Sequence, residues 1–512
     1  MAGTKGQELG QGAGARLGDA AAALLGDRRL IIATNRGPVT FATAADGSLR
    51  PRRGSGGLVT ALGQVGQHVP LTWIAAAMTD GDRRAAADPR LLRAVAGEDD
   101  GIRLRFAAVE RSVYEAAYNV IANPLLWFLQ HQMWNLPERP VIDVGVMRAW
   151  DRGYVPLNET FGKAILGQAG RGDRAPRVML HDYHLYLAAT TIRRARPGAI
   201  LSHFTHIPWP PSSIWQTVAP PIREGIVAGL LANDVAGFQT GRYAHNFMRS
   251  AESFMPGASV DYDASTVRFG RRTTHVRAYP ISVDVEATLR VANSRAARRR
   301  AEQLLATARQ QILVRVDRLE PSKNILRGFA AFEALLQRHP RYRGRVSFLA
   351  FLVPSRTGLR EYGDYGRKVQ GAVDRINARF GRAGWRPVQL FYENDYAQAL
   401  AGLSIADVVL VNPLVDGMNL VAKEAVLVSQ RESVLVLSET AGAFDQMAGG
   451  ALAVAPADVV GTADAIATAL QMPVEERRRR LARLRRGVEG EDITWWLRRQ
   501  LEDLAEIAER RG

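Results

Sequence analysis

Val408-Val409-Leu410-Val411-Asn412-Pro413-Leu414-Val415-Asp416-Gly417-Met418-Asn419-Leu420-Val421-Ala422-Lys423-Glu424 reads as a buried strand, a tight turn at Gly417 and the first turns of a helix. Four apolar residues in a row suit a strand covered on both faces, as in a parallel sheet. Counted at helical spacing from Asp416, Leu420, Lys423 and Glu424 fall at i+4, i+7 and i+8. One helix face would then carry both carboxylates, the lysine and an apolar contact. An open parallel sheet presents its ligand site at the carboxyl ends of its strands, and the N–H groups of a helix start favour an anion there. The plainer reading is an ordinary cap and a solvated Lys-Glu pair.

The rest of the chain supplies the context. Its 512 residues exceed what one hydrophobic core serves, so two domains are expected. With no cysteine, disulfides, thiolate metal sites and a cysteine nucleophile are excluded, and a reducing, cytoplasmic location fits. No apolar run is long enough to span a membrane. Residues 1–27, glycine-rich with interspersed charges, lack a signal peptide's apolar centre and read as a mobile tail that ends in a short helix at 20–25. The net charge of +16 raises the question of nucleic acid. However, Arg298-Arg299-Arg300 and Arg477-Arg478-Arg479-Arg480 lie in helical patterns without interleaved aromatics, which describes solvated helix faces, and no nucleic-acid motif is present.

One grammar repeats along the chain: an apolar strand, a polar turn, a helix. Leu30–Ala33 ends at Thr34-Asn35-Arg36-Gly37, and Gly54-Ser55-Gly56-Gly57 opens a helical pattern whose glycines would let backbone approach a phosphate. Thr72–Ala77 is a further strand, and Tyr118, Trp127 and Trp134 lie in an apolar, helix-like stretch. Val178-Met179-Leu180 runs into His181-Asp182-Tyr183-His184. The two histidines lack a third ligand of metal spacing, so Asp182 is the better candidate for hydroxyls or a proton. Ile200–Thr205 stops at His206-Ile207-Pro208-Trp209-Pro210, where the prolines would fix His206 at the strand's mouth. Val235–Phe238 ends at Gln239-Thr240. A second series follows: Ile312–Val316 before Asp317-Arg318-Leu319-Glu320-Pro321-Ser322-Lys323-Asn324, Ser347–Val353 before Pro354-Ser355-Arg356, and Val434–Leu437 before Ser438-Glu439-Thr440-Ala441-Gly442. Arg318 offers a planar fork and Lys323 a point charge, a pairing suited to a diphosphate. Two sets of parallel strands with polar carboxyl ends imply an α/β protein of two doubly wound domains.

Asn35-Arg36, Gly56-Gly57-Leu58, Tyr118-Asn119 with Trp127, His181–His184, His206–Pro210, Gly237–Thr240, Arg318–Lys323, Ser355-Arg356 and Asp416–Glu424 together resemble the trehalose-6-phosphate synthase family of retaining glycosyltransferases, family 20, over about residues 28 to 500. The resemblance implies the GT-B fold, two Rossmann-like domains facing across a cleft. An acceptor-side domain would span 28–283, a donor-side domain 284–490, and a terminal helix over 491–512 would cross back to the first. Arg318 and Lys323 would hold the donor diphosphate with the Gly56-Gly57 backbone. Glu424 would hold the ribose, Leu420 would lie by the nucleoside, and Asp416 with the backbone of Gly417, Met418 and Asn419 would hold the donor sugar. His206 would face the donor sugar near its anomeric carbon. Arg36, Tyr118, Trp127, Asp182 and Arg356 would form the acceptor site. Arg318, Lys323, His206 and Asp182 are therefore the catalytic candidates.

The implied reaction moves glucose from a nucleotide sugar to glucose 6-phosphate with retention. It needs neither a cofactor nor a metal, its partners are those two small molecules rather than nucleic acid or membrane, and the oligomeric state, a homo-oligomer included, is left open. Two departures are visible. Ala75-Ala76 stands where these synthases usually have Gly-Trp, and Glu320-Pro321-Ser322-Lys323-Asn324 where they usually have Asp-Tyr-Ser-Lys-Gly. The Trp73-Ile74-Ala75 stretch and His206–Pro210 also look like the pseudo-glycosyltransferase branch, such as validoxylamine phosphate synthase, so cyclitol phosphate and glycerol phosphate are alternative acceptors. A catalytically silent sugar-phosphate-binding regulator is the alternative from another class.

Overall fold

The computed structural model describes residues 16–53, 69–88, 90, 92, 101–169, 175–355 and 360–511. Gly56, Gly57 and Arg356, three of the candidates above, lie outside them. The chain divides into two compact units, Met1–Pro280 with Thr494–Gly512, and Ile281–Ile493.

In the first unit the strands are β1 (Leu30–Thr34), β2 (Val39–Thr43), β3 (Leu49–Arg53), β4 (Leu71–Ala76), β5 (Ile102–Ala107), β6 (Arg177–His181), β7 (Ile200–Thr205), β8 (Val235–Phe238), β9 (Ser259–Asp261), β10 (Thr266–Phe269) and β11 (Arg272–Ala278). Nine of them form one sheet in the order β5-β4-β1-β6-β7-β8-β11-β10-β9, with β2 and β3 as a separate hairpin. The sheet is parallel from β5 to β11, and β9 and β10 close it antiparallel. From β1 the chain moves outward to β4 and then returns to lay β6 on the other side of β1, in the register Ala33 to Leu180. The strand order therefore reverses between β1 and β6, and the crevice beyond their carboxyl ends is where such a sheet takes a ligand. Every residue of β1 and of β7 is buried, as strands covered on both faces require.

The second unit holds β12 (Gln311–Arg318), β13 (Val346–Val353), β14 (Val388–Phe391), β15 (Val408–Val411), β16 (Val434–Ser438) and β17 (Leu452–Val454) in one sheet ordered β14-β13-β12-β15-β16-β17. All its pairings are parallel. Here the order reverses between β12 and β15, whose ends carry Arg318 and Asn412–Asp416.

Two expectations need correction. Of the segment 1–27 read as a tail, residues 16–25 form a helix that buries Leu17, Leu24 and Leu25, and Arg177 Nε donates to the Leu24 carbonyl at 3.2 Å. Leu17, Ala20, Ala21, Leu24 and Leu25 recur at helical spacing, a stripe outweighed in the sequence by its many glycines. Asp416 is not on a helix with Lys423 and Glu424, because the helix begins only at Leu420 and runs to Val428. Pro413 to Asn419 forms an irregular loop, so helical counting from Asp416 fails.

At the other end, helix Ile493–Glu509 belongs to the first unit from Thr494 onward. Its Trp496 indole donates to the Tyr279 carbonyl at 3.2 Å, and the Tyr279 hydroxyl donates to Asp503.

Candidate active site

At the second unit's switch point, Lys323 pairs with Asp416. The carboxylate also accepts from Asn419 Nδ2 at 3.1 Å. Asn419 has φ +82, a left-handed conformation that asparagine tolerates better than most side chains, and it turns the loop into the helix. A second left-handed residue, Asn324 at φ +56, ends the Pro321–Lys323 turn. The glycine usual at this position in the resembling family is thus replaced by the residue best able to share its conformation. The Asn324 side chain ties the turn down, donating to the carbonyls of Asn412 (3.0 Å) and Pro456 (2.7 Å), while Leu414 N donates to Ser322 O at 2.9 Å. From the far side, Ala443 N donates to Met418 O at 2.8 Å, and a Cβ on Gly442 would meet Gly417 O at 1.8 Å, so only glycine fits there.

Arg318 ends β12 with its guanidinium 48% exposed and 3.2 Å from the buried Glu320 carboxylate, which also accepts from Ser355 Oγ at 2.7 Å. Beneath the turn lies an ion pair that sequence reading missed. Fully buried Arg315 holds Asp317 Oδ2 at 2.7 and 3.0 Å and donates to the Lys323 carbonyl at 3.0 Å. Burial raises the Asp317 pKa, while Arg315 and then Lys323 oppose the rise.

The helix start separates the two residues once placed on one face. Lys423 is 1% exposed, and its Nζ donates to the Ile281 carbonyl at 2.9 Å. Burial pushes its pKa down to about 7 against the pull of Glu491. It therefore faces the interior rather than a crevice. Glu424 turns the other way and accepts from Tyr396 Oη at 3.0 Å, with its pKa raised by burial against that hydrogen bond. Tyr396, which the sequence did not single out, also hydrogen-bonds Thr288. Leu420 opens the helix, and Met418 is buried.

At the first unit's switch point, Arg36 follows β1 and Asp182 follows β6. The exposed Arg36 hydrogen-bonds the Tyr118 phenol, and Tyr118 stacks between Tyr114 (5.4 Å) and His184 (5.8 Å). Tyr118 and Trp127 lie on a π-helix, Ala117–Trp127, whose wide turn accommodates Pro124. Trp127 is buried against His131 (3.9 Å) and Tyr183 (5.7 Å). Asp182 is held at φ +72, uncommon for a non-glycine residue and a form of strain concentrated at functional sites. Its Oδ1 accepts from His206 N at 3.3 Å, and its carbonyl contacts His203 Nε2 at 3.2 Å. Ala75 and Ala76 are buried at the end of β4, where Ala76 N donates to Asn35 O at 3.2 Å.

His206 is fixed as the prolines suggested. Gln239 donates to its carbonyl at 3.3 Å, and Trp209 is anchored through Ser250 at 3.1 Å and stacks near Trp215 at 4.7 Å. His206 Nε2 lies 3.2 Å from His181 Nδ1. Burial, reinforced by His203, lowers the His206 pKa to about 3, so the ring is neutral and offers a hydrogen bond rather than a charge. Burial likewise lowers His203 to about 3 against its hydrogen bond to the Asp182 carbonyl.

Below the unfolded value of about 6.5, the unfolded chain takes up a proton that folded His203 refuses until about 3, so stability present above 6.5 falls with pH. His203→Gln is expected to remove about 2 kcal/mol of the stability difference between pH 7 and pH 5. Urea unfolding at both pH values measures it, and an undiminished difference in the variant would show that His203 does not titrate this way.

Two parallel, doubly wound units, each with a polar cluster at its own switch point, define a glycosyltransferase of the GT-B class. The chain belongs to glycosyltransferase family 20, whose profile matches residues 28–506. It is 35% identical over 484 residues to a bifunctional trehalose-6-phosphate synthase/phosphatase of Thermoproteus tenax, covering 91% of this chain and 62% of that longer protein. It is 33% identical over 494 residues to a trehalose-6-phosphate synthase of Mycobacterium avium, covering 94% and 96%. The crystal structure of a UDP-forming alpha,alpha-trehalose-phosphate synthase from Burkholderia xenovorans in complex with glucose-6-phosphate superposes with a TM-score of 0.78 at 28% identity, over 93% of this chain and 99% of that one.

Proposed function

We propose that this enzyme transfers glucose from a nucleotide-glucose, UDP-glucose foremost, to glucose 6-phosphate with retention of configuration, giving trehalose 6-phosphate and a nucleoside diphosphate. The observation that carries this reading is the pair of cations beyond β12 at a switch point, where Lys323 pairs with Asp416 and Arg318 is held by Glu320. In this reading the bond from the sugar to the diphosphate breaks and a bond to the acceptor hydroxyl forms on the same face. The acceptor proton passes to the departing phosphate oxygen, so no protein nucleophile is required. Arg318 and Lys323 stabilise the charge that develops on that oxygen, Asp416 and the Gly417–Asn419 backbone hold the sugar, and Glu424 holds the ribose. In this reading Arg36, Tyr118, Trp127, Asp182 and Arg356 hold the acceptor, and neutral His206 offers a hydrogen bond. The two cations supply the charge a metal would otherwise bring, so turnover is expected to survive EDTA. Both substrates are charged metabolites of the cytoplasm, where we place the enzyme.

The deciding experiment measures nucleoside diphosphate release from UDP-, GDP- and ADP-glucose, with and without glucose 6-phosphate, and weighs the product. Release that depends on glucose 6-phosphate and yields a phosphorylated disaccharide supports the reading. The buried Ala75-Ala76, in place of a large ring, favours a second one in which the acceptor is a glycerol or cyclitol phosphate. Turnover only with those acceptors would replace the first reading, and binding without turnover of any pair would leave a silent regulator. Arg356→Ala is expected to raise KM for the phosphorylated acceptor about tenfold or more, while KM for the nucleotide sugar stays unchanged. Equal losses with phosphorylated and unphosphorylated acceptors would remove Arg356 from phosphate binding.

A further inference from the structure

The parallel strands of the first unit's sheet also have amino-terminal ends, on the side away from Arg36 and Asp182. There β11 begins, with His275 in register with Val235, the first residue of β8. At this edge a pocket of about 440 Å³ is lined by Arg271, Arg272, His275, Arg510 and Arg511, with Ile507 as an apolar wall. The turn before β11 supplies Arg271 and the first residue of β11 is Arg272, while the end of the terminal helical segment supplies the other pair.

Its cations outnumber the carboxylates that answer them. Arg510 pairs with Glu506 on its own helix. Arg511 lies 2.5 Å from Asp234, a buried carboxylate already held by Arg193 at 2.9 Å. Arg271 and Arg272 have no carboxylate partner among the described residues, and Arg272 donates only to the Pro197 carbonyl, at 3.4 Å. Burial, then the charges of Arg193 and Arg511, lower the Arg272 pKa while Asp234 opposes them, so one carboxylate is shared among several cations here. His275 adds no compensating negative charge. Its Nδ1 faces Arg277 at 3.2 Å, and burial, then Arg277 and Arg510, lower its pKa while Asp503 and Glu506 oppose them.

We propose that this pocket binds a small molecule carrying two or more phosphate groups, held between the Arg271-Arg272 and Arg510-Arg511 pairs. Guanidinium forks match phosphate oxygens two at a time, and the volume is that of a small-molecule site. Concavity separates it from the flat, extended basic face that a nucleic acid needs. The ligand is an effector rather than a substrate. The helix Ile493–Glu509 that leads into Arg510 and Arg511 begins beside the candidate active site, with Trp496 6.1 Å from His206, so ordering its end reaches the imidazole through one element.

The test titrates tripolyphosphate into the full chain by calorimetry. One molecule per chain is expected to bind at this pocket, beside any taken up at Arg318 and Lys323, with affinity at the pocket at least tenfold weaker in the double variant Arg271→Ala/Arg272→Ala and unchanged in Arg318→Ala. Arg271 and Arg318 are exposed and Arg272 is half-buried at the sheet's edge, and the circular dichroism of both variants should match the parent's. Unchanged affinity in the double variant, or loss of all binding in Arg318→Ala, overturns the proposal. So does orthophosphate binding as tightly as tripolyphosphate. A short DNA duplex that binds more tightly through the same arginines overturns it in favour of a nucleic-acid surface.

Discussion

Arg318→Ala is expected to lower kcat for nucleoside diphosphate release by about 10²–10³-fold, roughly 3–4 kcal/mol of transition-state stabilisation, with little change in acceptor KM. The guanidinium stands at the end of β12, half exposed, and is aimed by a carboxylate that is itself immobilised, since buried Glu320 accepts from Ser355. A donor fixed before the reaction costs no reorganisation when charge appears on the leaving oxygen, which is why its removal is felt in kcat. Removing it also takes a cation from buried Glu320, which keeps the Ser355 hydroxyl, so a stability loss of about 1–3 kcal/mol is expected beside the kinetic one. Kinetics measured well below the unfolding transition, on enzyme still folded, separate the two effects. A variant with undiminished turnover would take Arg318 out of diphosphate binding, and a variant whose lost activity followed its unfolded fraction would make it a structural residue.

The sequence was most informative where strands are buried on both faces. Ile200–Thr205, Val235–Phe238 and Val408–Val411 are strands with the bounds their apolar runs suggest. It was least informative at sheet margins. Val388–Phe391 and Leu452–Val454 are the outer strands of the second sheet, too short and too mixed to stand out from their surroundings. Strand ends were legible as places for chemistry, because a parallel sheet directs its polar residues there, and Arg36, Asp182, Arg318 and Asp416 all sit at switch points. Their partners were not legible. Periodicity carried Asp416 onto the helix with Lys423 and Glu424, whereas left-handed Asn419 starts that helix afresh, so Asp416 meets Lys323, 93 residues away, and Lys423 meets Ile281, 142 away. Tyr396 against Glu424 and Arg315 beneath Lys323 are tertiary contacts that no local pattern announces. Arg315 in particular sits inside the apolar run Ile312–Val316, where a charge looks like noise until the carbonyls it holds are known.

Those carbonyls make Arg315 the residue whose loss should unfold the second unit most. Arg315→Ala is expected to cost about 3–5 kcal/mol, read as a lower urea midpoint of that unit's transition. The deletion leaves Asp317, 6% exposed, without its cation, and an uncompensated buried charge is dearer than the pair ever was stabilising. It also withdraws donors from Lys323 O and Ile325 O, the backbone that presents Lys323 to Asp416. The guanidinium is tightly packed, since a Cβ on Gly328 would meet Arg315 Nη1 at 2.2 Å, so truncation leaves a cavity. Arg315→Lys should recover little, since one ammonium cannot span Asp317 and two carbonyls as the planar fork does. The double variant Arg315→Met/Asp317→Leu removes both charges and should recover most of the stability while turnover stays low, because the turn carrying Lys323 has lost its anchor. Stability and activity recovering together would mean that the pair serves packing alone, and that the Pro321–Lys323 turn holds its shape through Asn324 and Leu414 without help from below.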